Sequence, residues 1–166
     1  MFPMHPATLA DIPALHALIE RAYRGEASRA GWTHEADFLN GPRTDIATLT
    51  AIIADSRETM LVARDGDRIA ACVQVSDKGD TAYLGFLAVE PTGQANGLGR
   101  TMIAAAEDHA RQIGATRMEM TVVDRRATLI AYYERRGYAL TGETRPFPAA
   151  LLEGVPLAFV VLAKPL

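Results

Sequence analysis

Apolar and polar residues change their period several times along the chain, and each change predicts an element. Ile12, Leu15, Leu18, Ile19 and Ala22 recur at helical spacing and predict a first helix. Thr8 or Asp11 can cap it, and Pro13 in the first turn favours Asp11. Residues 24 to 43 contain Gly25, Gly31, Gly41 and Pro42 and read as irregular. Ile46, Leu49, Ile52 and Ile53 then share one face of a second helix. Strand-like runs follow at Met60 to Arg64, Arg68 to Ser76 and Thr81 to Val89. The turn signals Asp65-Gly66-Asp67 and Asp77-Lys78-Gly79-Asp80 separate them. Met102, Ile103, Ala106, Ala110 and Ile113 line one side of a long helix from about Leu98, which Gly114 can end in a left-handed conformation. Thr116 to Val123 reads as a strand, and Ala127 to Arg136 as a helix stopped by Gly137. Another strand starts over Tyr138 to Thr141, and Val155 to Ala163 forms the last. The order is β-α-α-β-β-β-α-β-α-β-β, a meander followed by crossover helices, which predicts an α/β fold of the α+β type with a mixed sheet covered by helices.

Composition narrows the class. The 166 residues fit one domain, and 49% hydrophobic residues mark a globular chain with no repeat, low-complexity segment or linker. One domain over residues 1–166 is therefore expected. No apolar run reaches the length of a membrane span, and no signal peptide is recognised. The single cysteine, Cys72, lies among Ala70, Ala71 and Val73 and reads as a small buried hydrophobe. Its solitude fits a reducing compartment, so a cytoplasmic protein is expected. A net charge of −3 gives no reason to expect nucleic acid as a partner. The one dense basic cluster, Arg125-Arg126 and Arg135-Arg136, brackets a helix; it reads either as a solvated surface or as part of a site.

The richest stretch chemically is Leu87 to Arg100. An apolar strand stops at Pro91, a turn punctuated by Gly93, Gly97 and Gly99 follows, and a helix begins. A strand, a glycine turn and a helix N-terminus make an anion cradle, because unpaired N–H groups and the helix dipole converge there. The spacing is neither a P-loop, which needs Gly-Lys-Ser/Thr, nor a dinucleotide Gly-x-Gly-x-x-Gly. The pattern Gln94-x-x-Gly97-x-Gly99 behind Leu-x-Val-x-Pro resembles the coenzyme A pyrophosphate loop of the GNAT superfamily, the acyl-CoA-dependent N-acyltransferases. A second stretch, Ala131-Tyr132-Tyr133-Glu134-Arg135-Arg136-Gly137-Tyr138, resembles the aromatic-Tyr signature of the same family. The two motifs span roughly residues 81 to 138.

The resemblance implies a GNAT fold, with about six to seven strands flanked by about four helices. It implies acetyl-CoA as cofactor, its pantetheine arm between two splayed strands against backbone of Leu87, Ala88 and Val89. The N–H near Val89 would face the thioester oxygen. Gln94, Ala95, Asn96, Gly97, Leu98, Gly99 and Arg100 would hold the pyrophosphate. Tyr133 would stand near the sulfur as proton donor to a leaving thiolate, since a phenol can share its proton as the C–S bond breaks. Many relatives carry Asn seven residues earlier; this chain has Arg126, a donor without an acceptor that could reach a phosphate or face solvent. The implied reaction is acetyl transfer to a primary amine of a small molecule or peptide, by direct attack in a ternary complex. The alternative is a non-catalytic acyl-CoA-binding or regulatory module on the same fold. Glu119, Glu35 and Asp37 are candidates for the base or acceptor site, with Trp32, Arg43 and Arg145 as further acceptor contacts. Carboxylates would suit a cationic acceptor and Arg43 or Arg145 an acidic one; the residues alone do not choose. No metal is implied by the scattered histidines. Such folds commonly dimerise, so a homodimer is compatible, but no feature of the sequence marks one.

Overall fold

The computed structural model describes residues 3–23, 44–91, 97–146 and 157–166. The strands are β1 (Met4–Pro6), β2 (Glu58–Asp65), β3 (Arg68–Lys78), β4 (Thr81–Val89), β5 (Arg117–Val123), β6 (Ala139–Pro146) and β7 (Ala158–Pro165). The helices are α1 (Ile12–Tyr23), α2 (Ile46–Ala54), α3 (Leu98–Gln112) and α4 (Ala127–Glu134). The observed order matches the expected one, with a short 3-10 turn at Leu9–Asp11 added before α1. Among the described residues the strands form one seven-stranded sheet in the order β1-β2-β3-β4-β5-β7-β6. Every neighbouring pair is antiparallel except β4 and β5, which run parallel with α3 as their crossover.

Each sheet face buries its own core. Leu61, Ala63, Val73, Val75, Met118 and Met120 face α3 and α4, where Met102, Ile103, Ala106 and Ala110 meet them. Met60, Val62, Cys72 and Ala88 face α1 and α2, against Leu15, Leu18, Ile19 and Leu49. The alternation along β2 and β3 is what lets one strand serve both layers. Two strands run further than their apolar pattern: β2 starts at Glu58 and β3 ends at Lys78. Polar residues occupy those extensions, so hydrophobic periodicity cannot see them. Helix α4 stops at Glu134, two residues before its expected end, and β6 continues to Pro146. The start expected for the last strand, Val155, lies outside the described residues.

Thr8 and Asp11 act together at the start of the first helical segment. The Asp11 carboxylate accepts from the Thr8 backbone N–H at 2.8 Å and pairs with Arg64 of β2. Burial alone would raise the Asp11 carboxyl, but the Thr8 N–H bond and the Arg64 guanidinium outweigh it and hold it below its ordinary value of 3.8. A depressed carboxylate stabilises the fold above the unfolded pKa and ceases to do so as pH falls through the folded one. Asp11→Asn should therefore lower the thermal midpoint at neutral pH by about 2–4 °C. It should also flatten the loss of stability below about pH 4, measured by thermal unfolding across an acid series.

Candidate active site

Strands β4 and β5 pair over three residues only, Thr81 with Arg117, Ala82 with Met118 and Tyr83 with Glu119. Beyond that point they part. β5 stays bonded to β7 along its whole length, from Arg117–Pro165 to Val123–Phe159. β4 stays bonded to β3, but with one extra residue: Gly85 faces Gln74 and Ala88 faces Cys72. Phe86 sits in this bulge with φ of 44°, a left-handed conformation unusual for a bulky side chain. The bulge inverts the strand's alternation, so Leu84 faces the α3 core while Ala88 faces the α1 core. Between the parted strands lies a slot of about 220 Å³, walled by Tyr83, Gly85, Phe86, Thr121, Arg126 and Tyr133, among others. Tyr83 and Thr121 share a 2.5 Å hydrogen bond across it, just past the last backbone pair, and close that end.

The N-terminus of α3 follows β4 in the chain. Gly97 is its N-cap, with φ of 76°, a left-handed geometry that suits glycine. Among the described residues no side chain caps this end and no carboxylate lies in the first turn, which leaves the positive end of the helix dipole unneutralised by them. An Arg100 guanidinium nitrogen lies 3.7 Å from where a Cβ on Gly97 would sit, adding a cation to that end. Gly99 has a different reason to lack a side chain. A Cβ there would lie 3.2 Å from the Tyr132 hydroxyl and 3.7 Å from Val89 Cγ2, so its bareness lets α3 seat against β4 and α4.

The second motif supplies a cluster of tyrosines. Tyr132 and Tyr133 end α4 nearly buried, their ring centroids 5.5 Å apart and edge-on. Tyr138 follows edge-on to Tyr133 at 6.1 Å. The Arg136 guanidinium stacks 3.9 Å over the Tyr132 ring. Burial and the Glu107 carboxylate push the Tyr138 phenol well above its ordinary value, so it stays protonated.

Of the residues singled out from the sequence, Tyr133, Leu87 and Arg126 come together on the slot. Arg126 is only 7% exposed, so it is no solvated helix surface; Arg125 and Arg135 are exposed. The Leu87 carbonyl already accepts from the Tyr23 hydroxyl, at the end of α1. Ala88 and Val89 are held by β3 through Cys72 and Ala71. Gly97, Leu98, Gly99 and Arg100 form the first turn of α3 and its cap. Gln94, Ala95 and Asn96, and likewise Trp32, Glu35, Asp37 and Arg43, lie outside the described residues. Glu119 and Arg145 pair with each other at 2.7 Å, and Arg145 also holds Glu143 at 2.7 Å. Those two bonds, Glu143 first, push the Arg145 guanidinium up from its ordinary value. Cys72 is fully buried, donates to the Phe86 carbonyl at 3.3 Å, and has its thiol pushed up to about 12 by burial, as suits a packing residue.

A row of polar residues went unseen in the sequence. Glu58, Ser76, Tyr83 and Glu119 are successive cross-strand partners on β2, β3, β4 and β5, so they share one sheet face at the level where the slot closes. The Glu58 carboxylate accepts from Ser76 Oγ at 2.5 Å and from Gln74 Nε2 at 2.9 Å. Gln74 Oε1 in turn stands 3.1 Å from the Cβ site of Gly85 on the slot wall. Glu58 precedes the apolar run of β2 and has no motif around it, so only strand register could have revealed it.

A family model described as Acetyltransferase (GNAT) family matches residues 13–138, most of the chain and both motifs. The chain belongs to the GNAT family. It is 28% identical over 102 residues to an IAA acetyltransferase of Azospirillum brasilense, a match covering 58% of this chain and 67% of that protein. It is 33% identical over 90 residues to a streptothricin acetyltransferase of Streptomyces lavendulae, covering 54% of this chain but only 48% of the relative. Among solved structures, yncA from Salmonella typhimurium, with its cofactor acetyl-CoA, superposes with a TM-score of 0.74 at 19% identity, over 99% of this chain and 94% of that one. The seven-stranded sheet with one parallel pair is thus a GNAT fold.

Because Gly99 is packed from both sides, Gly99→Val should cost about 1–3 kcal/mol of stability through overpacking against Tyr132 and Val89. Thermal unfolding of the ligand-free protein reads this directly, and an unchanged midpoint would show that the contact yields.

Proposed function

We propose that this GNAT protein is an N-acetyltransferase that moves an acetyl group from acetyl-CoA to a primary amine carried by a cationic small molecule or peptide. The observation that carries the reading is the slot: two parallel strands part, Tyr133 lines the gap between them, and a helix that starts at Gly97 follows β4 in the chain. The residues present fit the cofactor. Gly97, Leu98, Gly99 and Arg100 offer backbone N–H groups and a guanidinium to a pyrophosphate. Arg126 adds a buried cation on the slot itself. Bound acetyl-CoA supplies the acetyl group as a thioester, whose sulfur must leave as a thiolate.

The chain's own groups divide the remaining work. Tyr133 Oη is the proton donor on the slot wall, within an aromatic cluster that excludes water from it. The slot walls hold the reacting ends together, so much of the acceleration comes from positioning in a ternary complex and no acyl-enzyme is required. Glu119 is committed to Arg145, which also removes Arg145 as a ready partner for an acidic acceptor. Glu58, by contrast, has only neutral donors around its carboxylate among the described residues. A half-buried carboxylate whose described partners are an amide and a hydroxyl favours an acceptor with an ammonium group.

Two experiments test the reading. Calorimetric titration should show binding of acetyl-CoA, with ATP and NAD as negative controls. Tyr133→Phe should keep that binding and lose about a hundredfold in kcat, assayed by thiol release against a panel of amines. Binding without turnover on any amine would favour the non-catalytic module. Glu58→Gln should raise KM for cationic amines about tenfold and leave acetyl-CoA affinity unchanged. A uniform effect on charged and neutral amines would remove Glu58 from the acceptor site.

A further inference from the structure

Glu107 lies in the middle of α3, only 6% exposed, among alanines and apolar residues of the core. A carboxylate in that position is costly unless its oxygens are fully engaged. They are. Lys164 Nζ of β7 donates to both, at 3.0 and 3.1 Å, and Tyr138 Oη donates to Oε2 at 2.8 Å. The ammonium also stands 5.7 Å over the Tyr138 ring. Gly137 makes the approach feasible: its φ of 97° turns the chain after α4, and a Cβ there would lie 3.2 Å from Lys164 Cε.

Tyr138 is in turn joined twice to Tyr133. Its backbone N–H donates to the Tyr133 carbonyl at 3.2 Å, and its ring meets the Tyr133 ring edge-on at 6.1 Å and 74°. A continuous physical link therefore runs from Glu107 through Tyr138 to Tyr133. It ties the tyrosine on the slot to the same helix whose N-terminus forms the anion cradle. We infer that Glu107 is a positioning residue: with Lys164 holding its charge, it fixes Tyr138, and Tyr138 sets where the Tyr133 hydroxyl stands relative to α3. A leucine at this helix position would pack as well and anchor nothing in a defined direction. This inference rests on the proposed role of Tyr133 in proton donation.

Tyr138→Phe is the cleanest probe, because it deletes the bond to Glu107 and keeps the ring against Tyr133. In ligand-free protein labelled in its tyrosine rings, NMR should show the Tyr133 resonances shift or broaden while those of Tyr83, at the closed end of the slot, stay in place. In the assay, Tyr138→Phe should lower kcat about tenfold with KM for acetyl-CoA changed by less than about twofold. The same substitution in a Tyr133→Phe background should cost nothing further, since a misplaced hydroxyl cannot matter once the hydroxyl is gone. Glu107→Gln is the second variant. Its amide oxygen still accepts from Tyr138 but gives up the charge that holds Lys164, so its kcat should fall less than that of Glu107→Ala. An unmoved Tyr133 resonance, or losses that multiply independently in the double variant, would overturn the positioning role while leaving Tyr133 as the proton donor. Wild-type turnover in Tyr133→Phe would instead overturn the catalytic role and the positioning inference with it.

Discussion

Everything at the site depends on two parallel strands that cease to bond to one another. Backbone N–H and C=O groups need partners when buried, so a sheet does not open in its middle without compensation. Here β7 holds β5 along its whole length and β3 holds β4 through a bulge. At the bulge the Tyr23 hydroxyl takes the Leu87 carbonyl and the Cys72 thiol takes that of Phe86. Phe86 carries the strain of the extra residue in its positive φ. The outcome is a slot between the two parted strands, lined by residues of both.

Charge is distributed around this slot with a clear logic. Among the described residues, Asp11, Glu90, Glu107 and Glu119 each meet an arginine or lysine. Those pairs sit at joints: Asp11 joins the start of α1 to β2, Glu90 joins the end of β4 to Arg21 of α1, and Glu107 joins α3 to β7. Glu58 differs, since its partners are an amide and a hydroxyl on the neighbouring strand. Buried ion pairs contribute little net stability against apolar packing but are costly to break. Their use at joints suits fixing the orientation of elements, and Glu58, held by neutral donors, stands on the sheet face where the slot closes.

Two motifs carried most of the site into view from the sequence. Glycine at position 97 and tyrosine at positions 133 and 138 are legible because each lies in a short stretch that resembles a GNAT signature. Helices and strands followed from the period of apolar residues, since α1 and α3 each bury one well-defined face and β5 alternates. Polar strand ends were less legible. Glu58 extends β2, and Asp77 and Lys78 extend β3, beyond the apolar pattern, and a polar residue on a half-covered sheet face looks the same in sequence as one in a loop.

The chain by itself determined the order of elements, the glycine that starts α3 and the tyrosines that end α4, because each depends on residues a few positions apart. The bulge at Phe86, the row from Glu58 to Glu119 and the link from Glu107 to Tyr138 depend on strand register and helix docking. Their partners lie between 14 and 64 residues apart where hydrogen bonds join them, as with Cys72 to Phe86 and Tyr23 to Leu87. Whether Glu119 serves as a lone carboxylate or as the partner of Arg145 was likewise settled only when β6 and β5 came to lie on either side of β7. Local chemistry is written along the chain, whereas the pairing of distant charges exists only after the sheet has assembled.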